Sequence, residues 1–173
     1  MRKEESRKHF EDCLKKGRDG ELAVEDLLYS HCYYGEGFPC LDAEVLFDLS
    51  ADADFQEKDI DFMVRTRNEH IFYIEVKTDF LAHKTGNFVY ELTTSGNNGC
   101  FAKTKADYII YHINETDENY IVDICKLRRY VSTSNLNLVP MGDSATGYLI
   151  PIKTLEEENI IHKITIIQAE EHT

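Results

Sequence analysis

Two acids and a lysine in the stretch Lys58 to Asp79, KDIDFMVRTRNEHIFYIEVKTD, have the types and spacing to act on a phosphate. Asp61 lies where Asp59, Asp61 and Met63 alternate with Ile60, Phe62 and Val64, the period of two that a β-strand imposes. Glu75 and Lys77 lie in a second such segment, sharing a face with Ile71 and Tyr73 and backed by Phe72, Ile74 and Val76. The polar run Arg65 to His70, with Asn68 as turn former, joins the two as an antiparallel hairpin. Burying both apolar faces together allows registers that set Asp61 opposite Glu75 or Lys77, because a one-residue slip turns one face to water. Either register brings Asp61 beside Glu75.

Two carboxylates that close repel, and one pKa rises unless a cation lies between them. An oxygen donor pair suits Mg²⁺, which is typically held by one or two carboxylates together with waters and substrate phosphate oxygens; Mn²⁺ is expected to substitute. Lys77, two residues past Glu75 on the same face, is placed to orient the attacking water or help deprotonate it. Asp59 shares the Asp61 face and is its rival as first ligand, but only Asp61 lies within the apolar strand.

Upstream, Lys16 to Glu21 reads KGRDGE in a helix-forming region. The joint order of that motif, a strand with Asp61, and a strand with Glu75-Val76-Lys77 resembles the PD-(D/E)XK nuclease superfamily, in its restriction-endonuclease-like and Holliday-junction-resolvase-like branch. The proline that commonly precedes the first acid is replaced by Ile60. The resemblance spans Lys16 to His112, with a less specific extension to Leu155. It implies an α/β fold, a restriction-endonuclease-like core with a mixed central sheet flanked by helices. It also implies metal-dependent hydrolysis of phosphodiesters, with Asp61, Glu75 and the Val76 carbonyl as metal ligands. Glu21 would complete the shell directly or through water, and Lys77 would position the nucleophile. DNA is the implied substrate ahead of RNA, cut internally and with branched DNA as a candidate, and a homodimer would supply two active sites.

The elements around the hairpin must carry these groups. Helices are expected from Lys3 to Lys16 and from Asp19 to His31, with a break at Gly17 and Gly20. On the second, Ala23, Val24, Leu27 and Leu28 form the buried stripe. Glu21 falls near its edge and Glu25 further round, so Glu21 is the better placed acid; its bland alternative is a surface acid near a helix N-terminus. A loop is expected over Tyr33 to Asp42, a strand over Ala43 to Leu49 and an acidic loop over Ser50 to Glu57. His83 is expected in an exposed loop. Asn87 to Cys100 is read as turn-rich around GNNG, with Glu91 as an extra acid. The run Ala106 to Ile113 reads as a strand buried on both faces, and it resembles the strand that follows the hairpin in such nucleases. Further on come a strand at Ile121 to Cys125, a short helix at Lys126 to Val131 exposing Arg128 and Arg129, and turns over Ser132 to Gly147. An edge strand ending at Pro151, a helix capped by Thr154 and Glu157, and a last strand at Ile160 to Ile167 complete the reading.

At 173 residues, 42% of them hydrophobic, the chain reads as one domain over 1–173, with its core at about 16–112 and a C-terminal extension at 113–173. It holds no apolar run of signal-peptide or membrane-helix type, so a cytoplasmic protein without a membrane partner is expected. Five cysteines without a CxxC pair read as reduced thiols, and His31, Cys32 and Cys40 lack the spaced partners of a zinc site. The formal charge of −13, from 19 Lys or Arg against 32 Asp or Glu, runs against a broad phosphate-binding surface. Basic residues nevertheless gather in residues 1–18. Lys16, Arg18, Lys103 and Lys105 are the candidate phosphate contacts. The acidity favours one alternative, a catalytically silent nuclease fold used as a binding or inhibitory protein; an RNA-directed nuclease is another.

Overall fold

The apolar alternation around Glu75 places that acid on a central strand of a mixed sheet, whereas Asp61, expected within the neighbouring strand, stands immediately before its first residue, Phe62. The computed structural model describes residues 2–29, 33–34, 43–141 and 144–166, with side chains described for 15–29, 44–141 and 144–164. The candidate zinc donors His31, Cys32 and Cys40 lie outside these residues, as does most of the loop expected over Tyr33 to Asp42.

In chain order the elements are α1 (Arg2–Tyr29), β1 (Tyr33–Tyr34), β2 (Ala43–Asp48), α2 (Ala53–Gln56), β3 (Phe62–Thr66) and β4 (Ile71–Asp79). Then come α3 (Ala82–Thr85), β5 (Asn87–Thr94), β6 (Asn97–Asn98), α4 (Cys100–Lys103), β7 (Tyr108–Ile113) and β8 (Glu118–Asp123). The chain continues through α5 (Ile124–Thr133), β9 (Val139–Met141), β10 (Ala145–Pro151), α6 (Ile152–Glu157), β11 (Ile161–Lys163) and β12 (Thr165–Ile166). Six strands form the central sheet in the order β11-β8-β7-β4-β3-β2. Within it β4 and β7 run parallel and the other neighbours antiparallel. The fold is α/β with a mixed central sheet flanked by helices.

Each face of this sheet has its own apolar cover. On one, Phe62, Val64, Ile74, Val76, Ile110 and Ile121 pack with Val24, Leu27 and Leu28 of α1, the stripe read from the sequence. Burying a side chain of this size contributes about 1.5–3 kcal/mol. On the other face, Ile109, Tyr111, Ile113 and Val122 meet Phe88, Tyr90 and Ile150, together with Phe101 of α4, Leu127 of α5 and Leu155 of α6. Phe88, Tyr90 and Ile150 belong to a second, four-stranded sheet ordered β6-β5-β10-β9.

Several expectations are corrected. Gly17 and Gly20 do not break the helix; α1 runs through both. Gly20 serves packing instead, since a Cβ there would stand 1.9 Å from Thr78 Oγ1. The turn-rich reading of Asn87 to Cys100 misses β5, whose Phe88 and Tyr90 alternate into the core. The strand ending at Pro151 starts earlier than expected, at Ala145; β9 covers it over Ala145–Gly147, and from Tyr148 to Pro151 it pairs with β5 alone, the edge position read from the sequence. Thr154 lies inside α6, which Pro151 precedes without a side-chain cap, so the capping box does not form. Arg128 is half-buried and donates to the Phe101 and Thr104 carbonyls, tying α5 to the segment before β7. His83 is largely buried and stands 3.5 Å from Glu115. The last strand divides into β11 and β12, which join different sheets. Among the described residues, no helix is long and apolar enough to cross a membrane.

Candidate functional site

The hairpin register resolves the choice left by the sequence. Phe62 pairs with Ile74 and Met63 with Tyr73, the register that carries Asp61 alongside Glu75. The regular ladder ends there. The Asp61 amide donates to the Ile74 carbonyl at 2.9 Å. The Val76 amide then meets a side chain, Oδ2 of Asp61 at 2.8 Å, where a next backbone carbonyl would otherwise serve. The other carboxylate oxygen, Oδ1, accepts from Nε2 of Gln56 at 3.2 Å. Gln56 closes the single turn of α2, whose start is capped by the Asp52 side chain accepting from the Asp54 amide. Asp61 is thus clamped from two elements and is only 6% exposed.

Glu75 is 4% exposed, and the Lys77 ammonium lies 3.0 Å from its Oε1. Burial pushes the Glu75 carboxyl up to about 8; Lys77 opposes that shift and the Asp61 charge adds to it. Burial opposes the Lys77 ammonium, but the neighbouring Cys100 and Glu75 outweigh it and hold the lysine above its ordinary range.

Asp61, Glu75, Lys77 and Val76 line one open pocket of about 300 Å³, with Glu21, Gln56, Asp59, Thr78 and Phe80 around it. The five residues expected to hold metal or act on the phosphate, Glu21, Asp61, Glu75, Val76 and Lys77, therefore line the same pocket, and the four expected phosphate contacts do not. Glu21 reaches the pocket from α1 because Gly20 lets the helix come close to Thr78 of β4. Its carboxylate is held by Arg18 at 2.7 Å. Burial raises its pKa, Arg18 opposes the shift and Asp61 adds to it. Among the described residues no three His, Cys, Asp or Glu side chains form a metal-enclosing group. What the pocket offers is two buried carboxylates and a set of oxygen donors, and carboxylate oxygens retain lone pairs after accepting one hydrogen bond each. This donor set fits a hard cation of the Mg²⁺ type, which fills its shell largely with waters and substrate oxygens.

Set beside known proteins, the chain matches no family profile, and no curated protein matches it in sequence. Its structure is similar to that of a bacterial homing endonuclease, with a TM-score of 0.43 and 11% identity over 91% of this chain and 80% of that one.

Other expected residues take more specific places. Asp59 stands at the pocket wall with φ of 51°, the left-handed region that Asp tolerates better than most residues. Lys103 is paired to it at 2.9 Å, so this lysine is engaged with the protein itself. Thr104 Oγ1 and the Lys105 amide bind the Asp59 and Lys58 carbonyls, stitching this turn to the start of β7. Arg18 contacts Ser50 as well as Glu21, while Lys16 is exposed and lies over the Phe80 ring, 5.1 Å from its centroid. Glu91 lines a neighbouring cavity of about 180 Å³ on another side of Lys77, with Cys100, Asp79 and Tyr111. Burial pushes the Cys100 thiol up to about 12, against the pull of Lys77. Gln56 and Phe80 escaped the sequence reading. Neither belongs to a motif, although Phe80 could have been flagged by its position three residues after Lys77.

Proposed function

We propose that the chain is a divalent-metal-dependent nuclease of the PD-(D/E)XK type, hydrolysing phosphodiester bonds, with DNA as its substrate. The observation that carries the reading is the meeting of Asp61, Glu75 and Lys77 in one pocket, with both acids almost wholly buried. With both acids ionised, the pair beside a single lysine carries a negative charge that a cation would offset, and a bound cation would in turn favour the ionised form of the buried Glu75.

Asp61, Glu75 and the Val76 carbonyl would hold that cation, of the Mg²⁺ or Mn²⁺ kind, with Glu21 completing the shell directly or through water. Once bound, it supplies Lewis-acid chemistry at the phosphoryl oxygen. The rest falls to the chain. Gln56 and the Val76 amide fix the Asp61 carboxylate in one orientation. Lys77 orients the attacking water and stabilises charge developing on the phosphate. Lys16, over the ring of Phe80, and Lys105 contact backbone phosphates; Arg18 holds Glu21, and Lys103 joins the contacts on release from Asp59. The preference for internal cleavage, for branched DNA and for a homodimer belongs to the same proposal.

A substrate panel tests it: linear duplex, single-stranded, supercoiled and four-way-junction DNA, and RNA, each with Mg²⁺, Mn²⁺ or EDTA. Cutting of DNA that needs the metal supports the reading. The charge of −13 favours a second reading, a silent fold that docks a basic protein. It would be supported by failure to bind either metal together with tight capture of a basic partner.

A further inference from the structure

The strand that carries Glu75 and Lys77 does not end at the pocket. It reaches Asp79, and the chain then bends through Phe80, which lines the pocket wall, to Leu81, the residue before α3. Among the described residues Leu81 is the most exposed of the large apolar side chains, at 62%. A single exposed leucine is ordinary on a protein surface; this one is set apart by how firmly its backbone is held and by where it stands.

Asp79 Oδ1 accepts from the amides of Leu81 at 2.6 Å and of Ala82 at 2.7 Å. Its other oxygen takes the hydroxyl of Tyr111, which is buried in the core. The next turn is anchored as well: Ala82 is buried, the Gly86 amide returns to the Ala82 carbonyl at 2.8 Å, and the Gly86 carbonyl accepts from Ile152. Leu81 thus projects into solvent from a turn fastened to β7 and to the start of α6. These bonds satisfy backbone amides at both ends of α3 and so fix where the Leu81 side chain leaves the surface. Beside it, the Phe80 ring offers a flat apolar surface and carries the Lys16 ammonium above it.

We propose that Leu81 is a wedge that enters between adjacent bases of the bound nucleic acid, with the Phe80 ring beside it as a stacking surface. The proposal rests on the nuclease reading of the pocket and names its substrate class: DNA containing a step that unstacks easily, at a branch, a bulge or a nick. Apolar wedges of this kind kink a duplex by partly unstacking one step, most easily where stacking is already weak. Leu81 lies four residues beyond Lys77, about 13 Å of extended chain at most. With about 3.4 Å per nucleotide along a strand, the wedge acts within roughly four base steps of the scissile phosphate. Lys16 would meet the phosphate next to the base on Phe80.

The test reads unstacking separately from cleavage. Duplexes and bulged duplexes carrying 2-aminopurine at successive steps are bound to the wild type, Leu81→Ala and Leu81→Met in Ca²⁺, and the same substrates are cut in Mg²⁺. The wild type is expected to raise 2-aminopurine fluorescence at one step and to cut the bulged substrate faster. Leu81→Ala should lose both while still cutting single-stranded DNA, and Leu81→Met, which keeps an apolar wedge, should retain them. Equal fluorescence and equal preference in wild type and Leu81→Ala would overturn the proposal, as would no fluorescence rise with the wild type. A rise that depends on Leu81 without any cleavage would support the wedge and count against the nuclease reading alone.

Discussion

The Val76 amide donates to Oδ2 of Asp61 at 2.8 Å, so the first acid of the pocket also terminates the β3–β4 ladder. Function and fold are therefore coupled at this position. Asp61→Asn keeps a carbonyl oxygen for the amide, whereas Asp61→Ala leaves a buried N–H without a partner, at a cost of about 1–3 kcal/mol. We expect both variants to lose cleavage, Asn with little change in stability and Ala with a clearly lower denaturation midpoint. Urea unfolding of the pair, read beside activity, checks this.

Gln56 holds the other Asp61 oxygen from outside the hairpin. Removing a partner that orients a metal-binding carboxylate typically lowers metal affinity or activity by about 10–100-fold. Gln56→Ala is expected to fall in that range in the Mn²⁺ concentration needed for half-maximal activity, with a stability loss near 1 kcal/mol. Unchanged metal dependence would show that Asp61 is oriented by the Val76 amide alone.

The buried Glu75 makes metal-free stability depend on pH. Its carboxyl is raised from 4.5 to about 8 in the folded chain, so between those values the folded state binds more protons than the unfolded one. Stability then falls as pH rises through that window, by up to about 1.4 kcal/mol per unit, and levels off on either side. Glu75→Gln should flatten this dependence in EDTA. Because metal binding favours the ionised acid, saturating Mg²⁺ should also reduce the slope in the wild type. Thermal melts from pH 5 to 8, with and without metal, measure both.

The two glycines of α1 should respond in opposite directions. A Cβ at Gly17 meets nothing within 4 Å, so Gly17→Ala should stabilise the helix by about 0.5–1 kcal/mol. At Gly20 it would collide with the stiff Thr78 side chain, and Gly20→Ala should cost about 1–3 kcal/mol while displacing Glu21 from the pocket. Melting temperatures of the two variants provide the comparison.

These glycines also mark the limit of what the sequence makes legible. The hairpin could be read because Phe62, Val64, Ile74 and Val76 carry a local period-two signal whose burial permits few registers. The stripe Val24, Leu27, Leu28 was legible for the same reason at helical period. Gly20 was not, since helix propensity is local and the approach of Thr78 is a contact between distant parts of the chain. The Asp59–Lys103 and Gln56–Asp61 bonds are also set by how loops fold back, which no spacing encodes. In β5 the alternation of Phe88 and Tyr90 was present, but the following GNNG turn signal drew the whole segment into a loop reading.

Single-turnover incubation of supercoiled DNA with wild type, Glu75→Gln and Lys77→Ala, in Mg²⁺ and in EDTA, tests the central claim most directly. The account expects cutting by the wild type in Mg²⁺ alone, none by Glu75→Gln, and a rate reduced by about 100-fold or more in Lys77→Ala, with circular dichroism showing all three folded. Wild-type rates in either folded variant, or equal cutting in EDTA, would contradict the assignment of this pocket as a metal-dependent nuclease site.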